Sequence, residues 1–226
     1  LDANGNKFGK SEGNALWLDK NKTTPYTIYQ YLINADDSKV LEYLKVFTFL
    51  TKEEIVKVRL KEASEAAKVI GAEYICLGLD DMFVRRDYDE GVRKVSDIIR
   101  RVKPDFIITH GEHEYMVDHS ITSTIVFDAT MAATVNHYPS DYPEYDKYTP
   151  IYYMENTFMV NSFPEEFVDI TEEIDTKIEM YSKHKSQVEW LKVHDNFDMV
   201  ETIRCFARTR GLQCDTGYVE GFTMCK

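Results

Sequence analysis

Two stretches of this 226-residue sequence carry side chains suited to chemistry. Asp80 and Asp81 follow one short apolar run, residues 74–79, and His110, His113, Asp118 and His119 follow another, residues 106–109. Carboxylates and neutral imidazoles are the ligand set of a hydrolytic zinc site, which keeps one position open for water. Histidines in a loop also serve as solvated groups or local caps, so the spacing alone leaves both uses open. The second stretch is near the start, where Lys7, Lys10 and Ser11 lie among Gly5, Gly9 and Gly13. Two ammonium groups and a hydroxyl on a glycine-rich support can follow the charge of a phosphate. By spacing alone a solvated basic loop serves as well.

The elements that must position these groups are legible in the pattern. Thr24 before Pro25 gives a helix cap and a first-turn proline, with Tyr26, Tyr29 and Ile33 as the apolar stripe. Asp36 and Asp37 cap a next helix through Val40, Leu41, Leu44 and Phe47. Thr51 and Glu54 form a capping box for a third, with Val56, Leu60, Ala63, Ala67 and Ile70 inward and Gly71 as its stop. Residues 74–79 read as a buried strand holding Cys76 as a buried thiol. A helix with Val92, Val95, Ile98, Ile99 and Val102 inward ends at Pro104, and residues 106–109 read as a second buried strand. Helix, strand, helix, strand predicts parallel pairing by right-handed crossovers, hence an α/β fold with ligands beyond the carboxyl ends of the strands. Further on the pattern predicts a helix over 119–135, a loop or lid over 138–150, and strands at 151–154 and 167–170. One helix then runs through Ile178, Tyr181, His184, Val188 and Leu191, and another from Met199 to Gly211.

The first segment resembles bacterial tyrosyl-tRNA synthetase. Lys7-Phe8-Gly9-Lys10-Ser11 stands as its KMSKS-type loop, followed by Glu12-Gly13-Asn14-Ala15-Leu16-Trp17-Leu18-Asp19, Thr24-Pro25-Tyr26, Tyr29-Gln30 and residues 44–50. The resemblance covers residues 1–55, the end of that family's catalytic domain. It implies that Lys7, Lys10 and Ser11 contact ATP and, as an alternative for the whole chain, a tyrosine-tRNA ligase fragment with tRNA as partner. The tyrosine pocket and anticodon-binding part of that family have no counterpart in this sequence, and a loop that closes on ATP works only with the site it closes over.

Residues 59–226 resemble the PIG-L (LmbE-like) deacetylases, zinc enzymes that remove N-acetyl groups from amino sugars. The blocks that carry it are Arg59-Leu60-Lys61-Glu62-Ala63, Leu77-Gly78-Leu79 with Asp81, residues 103–110, and Tyr115 to His119. Lys177 with His184-x-Ser186-Gln187, Arg210-Gly211-Leu212-Gln213-Cys214 and Tyr218-x-Glu220-Gly221-Phe222 follow. The resemblance implies an incomplete Rossmann-like parallel sheet preceded by a small helical segment. It further implies His119 as a metal ligand, Asp118 and His110 as catalytic groups, Asp81 and His113 as substrate contacts, and an acetylated amino sugar or amine as substrate. Met116 replaces the first histidine of the family's His-Pro-Asp-His pattern, and the Ala-His-Pro-Asp-Asp-Glu motif that supplies its other metal ligands is absent. One matched histidine is short of the three protein ligands a catalytic zinc usually takes, so little or no activity is expected of the chain as it stands. A sheet lacking its first strand also favours self-association through its open edge.

Composition narrows the classes further. The formal net charge is −12, yet residues 1–59 hold nine Lys+Arg against eight Asp+Glu, so the acidity belongs to the remainder. That portion would repel phosphate polymers, and the contrast in charge suggests two origins, an inactive fusion or an assembly join being one reading. No apolar run reaches the roughly 18 to 20 residues of a membrane span, and a cytoplasmic location is the default expectation. The first residue is Leu1 rather than Met, so the chain reads as a fragment or a processed product.

Overall fold

The computed structural model describes residues 19, 21–33, 51–194 and 196–225. In chain order the described elements are α1 (Pro25–Ile33), α2 (Lys52–Val69), α3 (Tyr88–Val102), β1 (Ile107–His110), α4 (Val117–Thr134), β2 (Ile151–Met154), β3 (Glu166–Asp169), α5 (Ile174–Ser182), α6 (Lys185–His194), α7 (Met199–Gln213) and β4 (Val219–Met224). The helix expected through Val40 and Phe47 lies outside the described residues. The chain divides into two compact units, one of residues 1–63 and 184–197, the other of residues 64–183 and 198–226.

In the first unit the helix starts follow from their caps. The Thr27 amide donates to Thr24 Oγ1 at 3.1 Å, with Pro25 at the first helical position where a missing N–H costs nothing. The Glu54 amide donates to Thr51 Oγ1 at 3.2 Å while the Thr51 amide donates to Glu54 Oε2 at 2.7 Å, a reciprocal capping box. Helix α6 is capped from a distance in sequence. The buried carboxylate of Glu62 accepts from the Ser186 amide at 2.8 Å and the Ser186 hydroxyl at 2.6 Å, placing a negative charge at the positive end of the helix. The single helix expected through Ile178 and Leu191 is therefore two: the Ser182 hydroxyl donates to the Ile178 carbonyl at the end of α5, and a freshly capped helix begins at Lys185.

In the second unit α2 ends as expected at Gly71, whose φ of +68° lets the Ala72 amide reach the Ala67 carbonyl at 3.0 Å. Ile70, and Val56 earlier in the helix, point outward rather than inward. The sheet has the order β1-β2-β4-β3; β1 and β2 are parallel, while β4 runs antiparallel to both β2 and β3. The fold is α/β, and its small open sheet is mixed where an all-parallel one was expected. Strand β4 went unread in the sequence although it sits inside the sheet.

Residues 74–79 form no ladder, which corrects the expected strand. Gly78 adopts φ +68°, incompatible with a continuous extended run, and Tyr74, Ile75 and Cys76 are exposed. The segment is held by packing instead: the Lys94 ammonium donates to the Leu77 carbonyl at 2.5 Å. Phe106 and Ile108 of the second expected strand are also exposed: they share one face of the strand, and Thr109 on the other face is buried.

The core forms where α3 packs on α4. Val92 and Ile99 meet Ile125, Ala129, Ala132 and Ala133, with Tyr145 closing the cluster, whereas Val102 stands exposed. A Cβ at Gly91 would come within 2.8 Å of Ile125 Cδ1, so the isoleucine lies directly against the α3 backbone there. A second cluster joins Ile170, Ile174 and Ala207. Residues 138–150 have no regular structure yet are no lid, since Tyr145 and Thr149 are buried and the Tyr145 amide donates to the Ala133 carbonyl at 2.9 Å.

Candidate functional site

Parallel strands β1 and β2 end side by side, with His110 opposite Met154. Residues 111–116 then lead into α4, which carries His119 in its first turn. Between the two histidines Glu114 turns inward, its side chain only 2% exposed. Its Oε2 lies 3.5 Å from His119 Nδ1 and its Oε1 3.9 Å from His110 Nδ1. The two imidazoles stack with centroids 4.0 Å apart and planes 10° from parallel, and Tyr115 meets the His119 ring edge-on at 6.0 Å. The cluster opens on a cavity of about 500 Å³, walled by β1, β2, β4, α5 and α7.

Burial first, and His119 second, push the His110 imidazole down from its ordinary 6.5 to about 4. It is therefore neutral at physiological pH and presents a lone pair. In the unfolded chain the same group takes up a proton near pH 6.5, so lowering the pH from about 6.5 to about 4 favours unfolding; above that window its contribution is constant. We predict that urea unfolding of the metal-free protein shows a larger loss of stability between about pH 7 and about pH 5 than does His110→Asn, which lacks the titrating ring. Equal losses would show that His110 ionises alike in both states.

Among the described residues, His110, Glu114 and His119 form a group whose donor atoms all lie within 4.8 Å of one another. Two imidazole nitrogens and a carboxylate are the donor set of a catalytic zinc or similar ion, and three such donors meet the usual minimum. The identities fit. The ring orientation asks for one adjustment, because each imidazole lone pair lies in its own ring plane and parallel planes do not meet at one ion. A shared ion therefore requires one ring to turn about its Cβ–Cγ torsion.

The structure thus brings His110 and His119 together, with Glu114 as a partner the sequence reading missed. The signal was present as an acid between two histidines, four residues after one and five before the other. His113 and Asp118 stand outside this group. His113 is exposed and borders a smaller cavity of about 140 Å³. Asp118 Oδ2 accepts from the Met82 amide at 2.6 Å, fastening the turn after residue 80 to the start of α4, and Asp81 is exposed in that turn. Lys7, Lys10 and Ser11 lie outside the described residues. No helix among the described residues is long and apolar enough to cross a membrane.

Both resemblances read from the sequence recur among known proteins. The family model described as GlcNAc-PI de-N-acetylase, PIG-L, matches residues 25–130. Tyrosine–tRNA ligase 1 of Bacillus cereus is 54% identical over 76 residues, 31% of this chain and 18% of that protein. The chain spans about a fifth of the length of such relatives. Among solved structures, the 4-carboxy-2-hydroxymuconate hydratase GalB of Pseudomonas putida KT2440 superposes with a TM-score of 0.64 at 21% identity, covering 86% of this chain and 80% of that one. The N,N'-diacetylchitobiose deacetylase of Pyrococcus horikoshii does so with a TM-score of 0.57 at 19% identity, covering 78% and 66%. The likeness is one of fold, shared with a hydratase as well as a deacetylase.

Proposed function

We propose that the larger unit is a metal-dependent hydrolase that removes the acetyl group from an acetylated amine, an amino sugar being the substrate class. The carrying observation is the convergence of His110, Glu114 and His119 at the carboxyl end of β1, on the wall of the larger cavity. The PIG-L match and the superposition on a diacetylchitobiose deacetylase support the reaction class. His110, Glu114 and His119 would hold a zinc ion, which when bound supplies Lewis acidity and lowers the pKa of a bound water toward 7. The chain's own groups do the rest. Burial keeps His110 unprotonated, the sunken Glu114 carboxylate faces both imidazoles, and Met154, Phe206 and Phe222 give the cavity apolar surface. The testing experiment is direct: the protein dialysed exhaustively after zinc loading should retain one equivalent and release acetate from an N-acetylated amino sugar. Retention of no zinc together with no acetate release overturns the reading.

The 54% identity to a tyrosine–tRNA ligase favours a second reading for the first segment, in which Lys7, Lys10 and Ser11 contact ATP. Under it, ATP protects Lys7 and Lys10 from acylation.

A further inference from the structure

Two ion pairs line the same cavity as the donor cluster, and they differ in kind. Arg210 of α7 grips Glu155, the residue after β2, through two guanidinium nitrogens, with the two side chains 14% and 12% exposed. The chain makes room for this pair: a Cβ on Gly221 would lie 2.5 Å from Glu155 Oε2. The pair is enclosed and its main hydrogen-bonding capacity is used within the protein, Arg210 Nη1 also donating to Gln213 at 2.8 Å. Lys177 of α5 and Glu220 of β4 make the other pair, with side chains 40% and 33% exposed. Its only hydrogen bond among the described residues joins Lys177 Nζ to Glu220 Oε1. Two ammonium hydrogens and Glu220 Oε2 have no further partner among the described residues and can bond to solvent or to a ligand in the cavity.

Resting on the hydrolase reading above, we infer that Lys177 and Glu220 are the specificity-determining contacts for the part of the substrate away from the reacting amide, and that they take neutral hydroxyl groups. A donor and an acceptor side by side match hydroxyls, each of which accepts and donates. Both carboxylates in this part of the cavity already face a cation, Glu155 with Arg210 and Glu220 with Lys177, so no unpaired cation among the described residues there selects a phosphorylated or carboxylated ligand. Tyr181, Phe206 and Phe222 offer apolar surface in the same cavity for the carbon face of a ring.

The test reads binding, so it stands apart from turnover. N-acetylglucosamine is titrated calorimetrically into the zinc-loaded protein, into Lys177→Met and into Glu220→Gln, with melting temperatures taken for each and N-ethylacetamide as the hydroxyl-free control. Expected is sugar binding weakened roughly tenfold or more in both variants, as loss of a hydrogen bond to a charged group implies, with the control unchanged. Lys177→Arg should recover part of the loss. Should Lys177→Met fold poorly, the isosteric Glu220→Gln carries the test. Unchanged sugar affinity in the variants, equal weakening of sugar and control, or no sugar binding by the parent protein overturns the inference. Sugar binding that follows the expected pattern without acetate release upholds it and counts against the hydrolase reading alone.

Discussion

If the proposed hydrolase reading holds, Glu114→Gln should lower zinc affinity by about 100-fold or more and remove acetate release, while the metal-free variant should melt no lower than the metal-free parent. The first half follows from ligation. Disturbing even the outer partners of a metal ligand costs about 10- to 100-fold, and an amide oxygen in place of a carboxylate removes the charge and leaves a weaker, neutral donor. The second half follows from burial. The Glu114 side chain is 2% exposed, and its contacts with His119 and His110, at 3.5 and 3.9 Å, lie at or beyond the limit of a hydrogen bond. A buried carboxylate so weakly served costs free energy unless a cation compensates it. Metal and carboxylate therefore stabilise each other, and neutralising one relieves the protein only when the other is absent. The check is a competitive zinc titration beside melting curves with and without chelator. Unchanged zinc affinity would place the ion elsewhere, and a metal-free variant that melts well below the parent would give Glu114 a purely structural part.

How far the sequence spoke for this site depended on how local each signal was. The capping box at Thr51 and Glu54 and the stop at Gly71 are settled within a few residues, and the chain obeys them. His110 and His119 were visible because the end of a strand and the start of a helix are local features. Glu114 was not, since which way a side chain turns in residues 111–116 depends on α4 and β1 packing around it. The division between α5 and α6 rests on Glu62, 124 residues away in sequence from the amide it caps, and no periodicity records that. Residues 74–79 mislead in the opposite direction: apolar content suggests a strand, but a strand exists only beside a partner, and none of the described strands pairs with this run. Strand β4 is read poorly because Gly221 interrupts its apolar pattern, and the reason for that glycine is the carboxylate of Glu155, again a distant residue.

Arg100→Met should destabilise the protein by on the order of 3 kcal/mol, because one buried charged group gives up several hydrogen bonds at once. Arg100 is 3% exposed and faces main-chain oxygens. Nε donates to the Ala133 carbonyl at 3.1 Å, Nη2 to those of Ala132 at 3.1 Å and Val135 at 2.7 Å, and Nη1 to that of Tyr142 at 3.0 Å and, more weakly, Tyr138 at 3.5 Å. Ala132, Ala133 and Val135 lie at the end of α4, where carbonyls lack helical partners and the helix dipole is negative. The guanidinium caps that end and ties the irregular segment around Tyr138 and Tyr142 to it. A methionine fills much of the volume but takes the guanidinium from all of these oxygens, leaving Ala132, Ala133 and Val135 only the backbone amides of Val135, Tyr145 and Tyr138. Arg100→Lys keeps the charge with three N–H groups on a single nitrogen, too few and too close together for carbonyls spread over eleven residues, so it should recover only part of the loss. Urea unfolding of the parent and both variants measures this. Because α4 also carries His119, weakening its far end tests whether the helix moves as one body: the zinc affinity of Arg100→Met, measured well below its unfolding transition, should stay within a few-fold of the parent's if α4 is rigid, and fall with stability if the helix frays through to its first turn.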